Sequence, residues 1–445
     1  MHLKKNYLDN KIILNIFFLF LLFKLIQIFH FRILPPIDHP FGIWQVLNKD
    51  LFLQDLLGTV LYLHSQPFLW NLFIGTLTKF FYGNIFYIQN FLHIYNLLLT
   101  FGIIYYSAKI SEFYKLSKNK IYLITLFILF NPTIIFWESM LYYYHTVTFV
   151  IFQISYLLVL FFKKYNVKYE IYIYINLTLL IFIWSAFHSI LILLFFIVRN
   201  FGYKSSKISV FFFLFFLFLS YIPNIKNKLI FGTSNSSWLG QQIAITVNTI
   251  QPVGPCALGP IEYNESNLIN YYKYYNPKKI LNHPSLIGKL SERNYLGNFY
   301  LSQLCFDRSI DAIKKNPKIY FKGLFEEFVS IHGKTLIDHS IYYNMPRGWD
   351  NVDYLVRYVN FNYKSQKQVV NIIFMLALYS YFFYKIFFSK IPINKNLSFI
   401  SIFAIYSYIL LIGVIFSKYE GERFIYAGYV IFLLAIIDFL SEKRS

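Results

Sequence analysis

Long apolar runs recur from about residue 12 to residue 440, and this recurrence constrains the fold more than any other feature of the chain. A bilayer core takes about 20 apolar residues per helical crossing, and it admits only helices or closed barrels because backbone polar groups find no water there. The runs lie near 12–31, 85–108, 121–137, 145–162, 171–187, 189–203, 207–223, 368–389, 397–417 and 424–440. They predict an all-α polytopic membrane protein with about ten transmembrane helices. Composition agrees, since 57% of the 445 residues are apolar and only 14% are charged, where a soluble domain carries about a quarter. A soluble globular protein is excluded. The 22% aromatic content fits an AT-rich coding genome and is given no functional weight.

Lys and Arg number 41 against 21 Asp and Glu, a formal charge of +20. In a soluble chain that excess would suggest nucleic acid; here it follows the loops, and no nucleic-acid partner is expected. With the N-terminus inside, Lys4, Lys5, Lys11, Lys109, Lys115, Lys118, Lys120, Lys163, Lys164, Lys168, Arg199, Lys204, Lys207, Lys385, Lys390, Lys395, Lys443 and Arg444 all face the cytoplasm. The opposite short turns hold only Lys418 and Arg423. The positive-inside rule therefore selects an orientation with both termini cytoplasmic, and the low-complexity composition suggests a bacterium, hence a cytoplasmic (inner) membrane. Lys24 interrupts the first apolar run, which lacks a small-residue cleavage site, so it reads as a retained first helix and not a signal peptide.

This topology divides the chain into a transmembrane module (1–223), an extracytoplasmic segment or small domain (224–367) and C-terminal transmembrane helices (368–445). The first extracytoplasmic loop, about 32–84, carries Pro35, Pro36, Asp38, His39, Pro40, Asp50, Asp55, His64 and Pro67, and ends in the amphipathic stretch FLWNLFIGTLTKFFY. In the larger segment, FDRSIDAIKKNPKIYFKGLFEEFVSIHG has helical apolar spacing broken at Pro317. The only two cysteines, Cys256 and Cys305, both fall there. An exported segment sits where disulfides persist, so they form either one bridge or two separate thiols.

Acids near a membrane are costly, which singles out Asp38, Glu138, Glu420 and Glu422 at the extracytoplasmic ends of the expected helices. Asp38 is either a carboxylate fixed by flanking prolines toward a membrane-level cavity or a solvated loop acid. Glu138 lies beside Tyr142, Tyr143, Tyr144 and His145, where it could orient a hydroxyl or hold a divalent cation such as Mg²⁺ or Mn²⁺. Glu138 and Tyr142, four apart, could share a helix face; an aromatic belt accounts for the tyrosines equally well. The turn SKYEGERF holds Lys418, Glu420, Glu422 and Arg423, either a phosphate-binding pair of cations or a polar hairpin cap. His188 and His64, also at extracytoplasmic helix ends, are phosphate donors or satisfied structural residues.

A first-loop acid, then HSQPFLWNLFIG from His64 to Gly75 and GERF from Gly421 to Phe424, resembles the GT-C superfamily of membrane glycosyltransferases, with the protein O-mannosyltransferase and aminoarabinose-transferase branch nearest. In that branch the first loop carries the catalytic acid, a Pro-Pro-Leu stretch begins a juxtamembrane helix, and a Glu/Arg pair before an aromatic marks the last extracytoplasmic turn. NPTIIFWESMLYYYHT, AFHSILILL and KNKLIFGTSNSSWLGQQ are similar to bacterial members of the group, so the likeness touches most of the first 240 residues and the last 30. Two positions depart from the pattern: His39 stands where many relatives have a second acid, and Gln66-Pro67-Phe68 replaces Pro-Pro-Leu.

The resemblance implies transfer of a sugar from a polyprenyl-phosphate donor to a glycan, lipid or protein acceptor at the outer face, with inversion. Asp38 would be the general base, Arg423 and Lys418 would stabilise the departing phosphate, with His188, His64 and Glu422 as further substrate contacts. Glu138 would orient substrate or hold the cation, and 224–367 would cover the site. Independently of the family, the short cytoplasmic loops leave no room for a nucleotide-sugar domain, which favours a lipid-linked donor. Two other classes stay open. An oligosaccharide polymerase or ligase would use loop residues such as His283, Arg293, His332 and Arg347. A transporter would show interrupted helices and acids deep in the bilayer, neither of which is evident in the sequence.

Overall fold

The computed structural model describes residues 10–36, 41, 46–64, 68–184, 187–204, 206–232, 243–244, 247, 283–286, 294, 296–333, 346–352, 355, 368–388, 393–416, 426–427 and 430–442. Among these the chain is helical, with no strand beyond an isolated antiparallel bridge between Leu34 and Arg347. Helix α1 (Asn10–Leu25) closes in a π-helical turn (Ile26–His30). The first loop folds into α2 (Lys49–Gln54), α3 (Leu56–Leu61) and α4 (Phe68–Phe80). Then follow α5 (Ile85–Phe113), α6 (Lys118–Leu129), α7 (Pro132–Ser139), α8 (Tyr143–Lys163), α9 (Val167–Ile183), α10 (Ile190–Gly202), α11 (Lys207–Ser220) and α12 (Ile222–Phe231). The remainder comprises α13 (Leu296–Lys315), α14 (Pro317–Gly333), α15 (Gln368–Phe387), α16 (Ile393–Phe416) and α17 (Val430–Glu442).

Among the described residues four helical stretches are long and apolar enough to cross a membrane: Asn10–His30, Ile85–Phe113, Tyr143–Lys163 and Lys207–Phe231. Lys118–Leu129 and Pro132–Ser139 make a fifth if counted as one span bent by 53°. The sequence led us to expect one unbroken helix over 121–137. Pro132 has no N–H to continue the ladder, so α6 stops and Asn131 caps a new helix by accepting from the Thr133 and Ile134 N–H groups. Shorter apolar helices occupy Ile190–Gly202, Leu397–Ile412 and Val430–Ser441.

Helix α8 is the centre of the bundle, lying against α5, α9, α16 and α17. Of its apolar window 78% is buried, against 28% for the first helix and 22% for Lys207–Phe231. Those outer helices turn Leu14, Phe18, Leu22, Phe211, Leu214 and Phe218 outward. So large an apolar exterior fits a lipid bilayer and not water. Within the bundle, Ser107, Ser111, Thr125, Ser155 and Ser401 bond back to the carbonyl one turn earlier, which satisfies these hydroxyls in the apolar interior.

Connections at the basic end are short: residues 114–117 join α5 to α6, 164–166 join α8 to α9 and 203–206 join α10 to α11. Two buried ion pairs stand apart from the site described below. Arg199 meets Glu170 at 3.1 Å, joined by Ser209, and Lys385 meets Asp438 at 3.0 Å, joined by the Tyr381 hydroxyl at 2.6 Å.

In the first loop α2 and α3 lie against α4, which lies against α9. Gly75 allows this approach, because a Cβ there would run into Phe52 and Leu56. In the large segment the helix breaks at Pro317, between α13 and α14, where the sequence places it. Ile243, Ala244, Val247, Leu301, Cys305 and Ala312 form a second apolar cluster separate from the main core. Cys305 is disulfide-bonded, and Cys256 lies outside the described residues.

Candidate functional site

Glu138 is the penultimate residue of α7 and is fully buried. Lys24, 3% exposed, donates to Glu138 Oε1 at 2.7 Å and to Gln27 Oε1 at 2.9 Å. Gln27 stands in the π-helical turn, a local geometry that recurs at functional sites. The other carboxylate oxygen, Oε2, accepts from the Thr100 hydroxyl of α5. Asn96, one turn earlier on α5, donates to the carbonyls of Glu138 (2.9 Å) and Met140 (3.0 Å), which tethers the break between α7 and α8.

The chain of bonds continues through His145. Its Nε2 lies 2.9 Å from Thr100 Oγ1 and 3.2 Å from the Asn96 carbonyl oxygen. A carbonyl only accepts, so Nε2 carries the proton, and Nδ1 accepts from the Tyr426 hydroxyl. Tyr426 also stacks on Trp137 at 5.4 Å, and its carbonyl accepts from Thr148 at 3.3 Å. The array thus joins α1, α5, α7 and α8 to Tyr426, which precedes α17.

Beside it, Trp349 packs edge-on against Phe136 at 5.7 Å. Trp349 belongs to a short run of the large segment fastened to the end of the first helix. Leu34 and Arg347 exchange backbone hydrogen bonds at 3.1 and 2.9 Å, Arg347 Nε donates to the Pro35 carbonyl at 2.8 Å, and Asn351 donates to the Phe31 carbonyl at 2.8 Å. Gly348 makes the approach possible: its φ is +74°, and a Cβ there would clash with the Phe31 and Arg32 carbonyl oxygens.

The large segment meets the first loop at a second place. The His64 N–H donates to Asn294 Oδ1 at 3.0 Å, His64 Nε2 donates to the Asn294 carbonyl at 2.9 Å, and Asn294 donates to the Tyr62 carbonyl at 3.2 Å. Burial pulls the His64 pKa down to about 3, outweighing the Asn294 bond that favours its charged form; the nearby Lys226 charge adds to the lowering. Close by, His283 stacks on Tyr62 at 4.7 Å and lies 3.5 Å from Asp55 Oδ2. The Gly58 N–H, at 2.9 Å from Asp55 Oδ1, holds that carboxyl below the usual carboxylate range against a smaller opposing effect of burial, with His283 assisting.

Of the expected site residues, Glu138, His64 and His188 lie among the described residues. Glu138 accepts hydrogen bonds at both oxygens, from Lys24 and Gln27 at Oε1 and from Thr100 at Oε2. Among the described residues no group of three or more His, Cys, Asp or Glu could hold a metal ion. Nor do Glu138 and Tyr142 share a helix face: α7 ends at Ser139, Met140 is extended and α8 begins at Tyr143. His64 is a buried tie between two segments, with its ring held by a backbone carbonyl. His188 receives the Tyr408 hydroxyl as acceptor of its backbone N–H at 3.0 Å, and its side chain is exposed. Asp38, Lys418, Glu420, Glu422 and Arg423 lie outside the described residues, as does Arg293.

Sequence reading missed Lys24, Gln27, Asn96, Thr100 and Tyr426. The available signal was Lys24 itself, since a cation inside an apolar run calls for an anionic partner at similar depth. No protein-family model, no curated protein and no solved structure matches this chain. What its fold and site define is an all-helical membrane protein with a buried, charge-paired polar array at the end of the bundle that carries the long loops.

Proposed function

We propose that this chain is a membrane glycosyltransferase of about ten spans that transfers a sugar from a polyprenyl-phosphate donor to an acceptor hydroxyl on the extracytoplasmic face, with inversion. The observation that carries the reading is the pairing of Leu34 with Arg347, which brings the large segment onto the chain just before the first-loop acid. Asp38 follows Pro36 by two positions in sequence. As general base it would take the acceptor's proton while that oxygen attacks the anomeric carbon, a contribution of about 10²–10⁴-fold. Arg423 and Lys418 would stabilise the departing lipid phosphate. The short connections at the basic end support a lipid-borne donor over a nucleotide sugar. Glu138 enters as the group that positions α1, α5 and α7, not as a substrate or metal ligand.

The test is transfer by the purified chain in vesicles supplied with polyprenyl-phosphate sugars, with products read by mass spectrometry. Asp38→Asn should keep donor binding and lower turnover by about 100-fold or more. Undiminished transfer in Asp38→Asn would favour the polymerase or ligase reading, in which loop groups such as Arg347 and His283 act.

A transporter of lipid-linked sugars is the second reading, favoured by the bent α6–α7 pair and by buried charges at Lys24 and Glu138. Movement of the labelled donor across the vesicle membrane without any product would establish it.

A further inference from the structure

The pairing of Leu34 with Arg347 uses backbone groups, so it leaves the Arg347 side chain available. Its Nε is held by the Pro35 carbonyl at 2.8 Å, the residue is exposed, and its two terminal nitrogens have no partner among the described residues. Gln89 of α5 reaches the next carbonyl, Pro36, at 3.5 Å. One turn further along the same face of α5 stands His93, only 5% exposed, with Nε2 buried and without a hydrogen-bond partner among the described residues. Buried ring nitrogens are rarely left unmet, and each such group calls for an explanation.

The charges nearby sharpen the point. Lys24 and Glu138 cancel each other at 2.7 Å. Arg347, Lys24 and Glu138 all reach His93 electrostatically. Asp350, three positions beyond Arg347, is exposed and makes no ion pair with it among the described residues. A guanidinium fork with no partner among the described residues and an unmet ring nitrogen therefore lie within electrostatic reach of each other, by the Pro35 and Pro36 carbonyls.

We propose that Arg347 and His93 together bind a phosphate group carried at the outer membrane surface. A guanidinium offers two parallel donors to two oxygens, and a ring N–H from a different element adds a donor outside that plane. Three donors so disposed suit the tetrahedral oxygens of a phosphate better than the two coplanar oxygens of a carboxylate. Membrane-surface depth points to a lipid-borne phosphate, with free phosphate as the other source of the same chemistry. On the transferase reading this phosphate is the donor's own, and only that identity rests on the reading.

Native mass spectrometry of the full chain in nanodiscs tests the site, with undecaprenyl phosphate as probe and undecaprenol, its uncharged alcohol, as control. Arg347→Gln keeps a donor for the Pro35 carbonyl and the backbone pairing while removing the charge and the fork. It should weaken binding of the phosphate by about 10- to 100-fold and leave the alcohol unchanged. Arg347→Lys should fall between the two, and His93→Phe, which keeps the ring volume, should weaken phosphate binding in a protein of unchanged melting temperature. Competition by phosphatidylglycerol supports a headgroup phosphate as the source, and competition by inorganic phosphate supports free phosphate. Equal affinity in wild type, Arg347→Gln and His93→Phe overturns the site, as does equal binding of the alcohol and its phosphate. Arg347-dependent binding without sugar transfer overturns the transferase reading and keeps the site.

Discussion

Lys24 and Glu138 are 114 positions apart in sequence, and their side chains meet at 2.7 Å inside the bundle with almost no exposure of either. The pair joins the first helix to the bent α6–α7 span, and through Thr100 and His145 it reaches Tyr426. Both oxygens of the carboxylate accept hydrogen bonds and one faces a cation, which is the condition under which a buried charge persists.

Removing one partner should therefore cost more than removing both. Lys24→Met or Glu138→Leu alone leaves a buried charge unpaired and should destabilise by about 3–5 kcal/mol. The double substitution should be less destabilising than either single one. Thermal unfolding of the purified variants in detergent checks the order; a double variant as unstable as the sum of the two would refute the pairing energetics.

Tyr426→Phe deletes the hydroxyl that His145 Nδ1 accepts from, while keeping the ring against Trp137. The expected loss is about 1–3 kcal/mol, because the imidazole nitrogen is left buried without a donor. Tyr406→Phe removes a hydroxyl from an equally buried ring of α16 outside this array. A melting temperature lowered in the first variant and closer to wild type in the second would assign the effect to the His145 bond.

The tie at His64 predicts acid sensitivity. Its folded pKa is about 3, below the unfolded value near 6.5, so the folded state disfavours the proton that the unfolded chain binds. The stability it permits is fully present above pH of about 6.5 and is lost progressively as pH falls toward 3. The unfolding midpoint measured from pH 7 to pH 4 should fall, and His64→Gln should flatten that slope.

Gly348 and Gly232 both have positive φ, +74° and +82°, but only Gly348 is crowded by backbone. Gly348→Ala should disturb the Leu34–Arg347 pairing and expose the large segment to protease. Gly232→Ala, with open space around its Cβ, should cost only the left-handed strain, roughly 1–2 kcal/mol. Limited proteolysis of the two variants under one set of conditions compares them directly.

Residence in a bilayer, the helical class and the break at Pro317 were legible in the sequence, whereas 121–137 was read as one helix although Asn131 and Pro132 carry the local chemistry of a break. Each depends on local chemistry: length of an apolar run, a missing N–H, an Asn that caps. Ten crossings were also inferred that way; among the described residues four helices, or five with the bent α6–α7 pair, are long and apolar enough to cross a membrane, and three further apolar helices are shorter. The sequence marked Glu138 as costly and Lys24 as an interruption but not as partners. Their meeting depends on how α1 packs beside α5 and α7. Arg347 was one of several loop cations until the chain brought it, 312 positions away, to the Pro35 carbonyl. Such contacts are set by helix packing and by a close backbone approach at Gly348, which no local periodicity encodes.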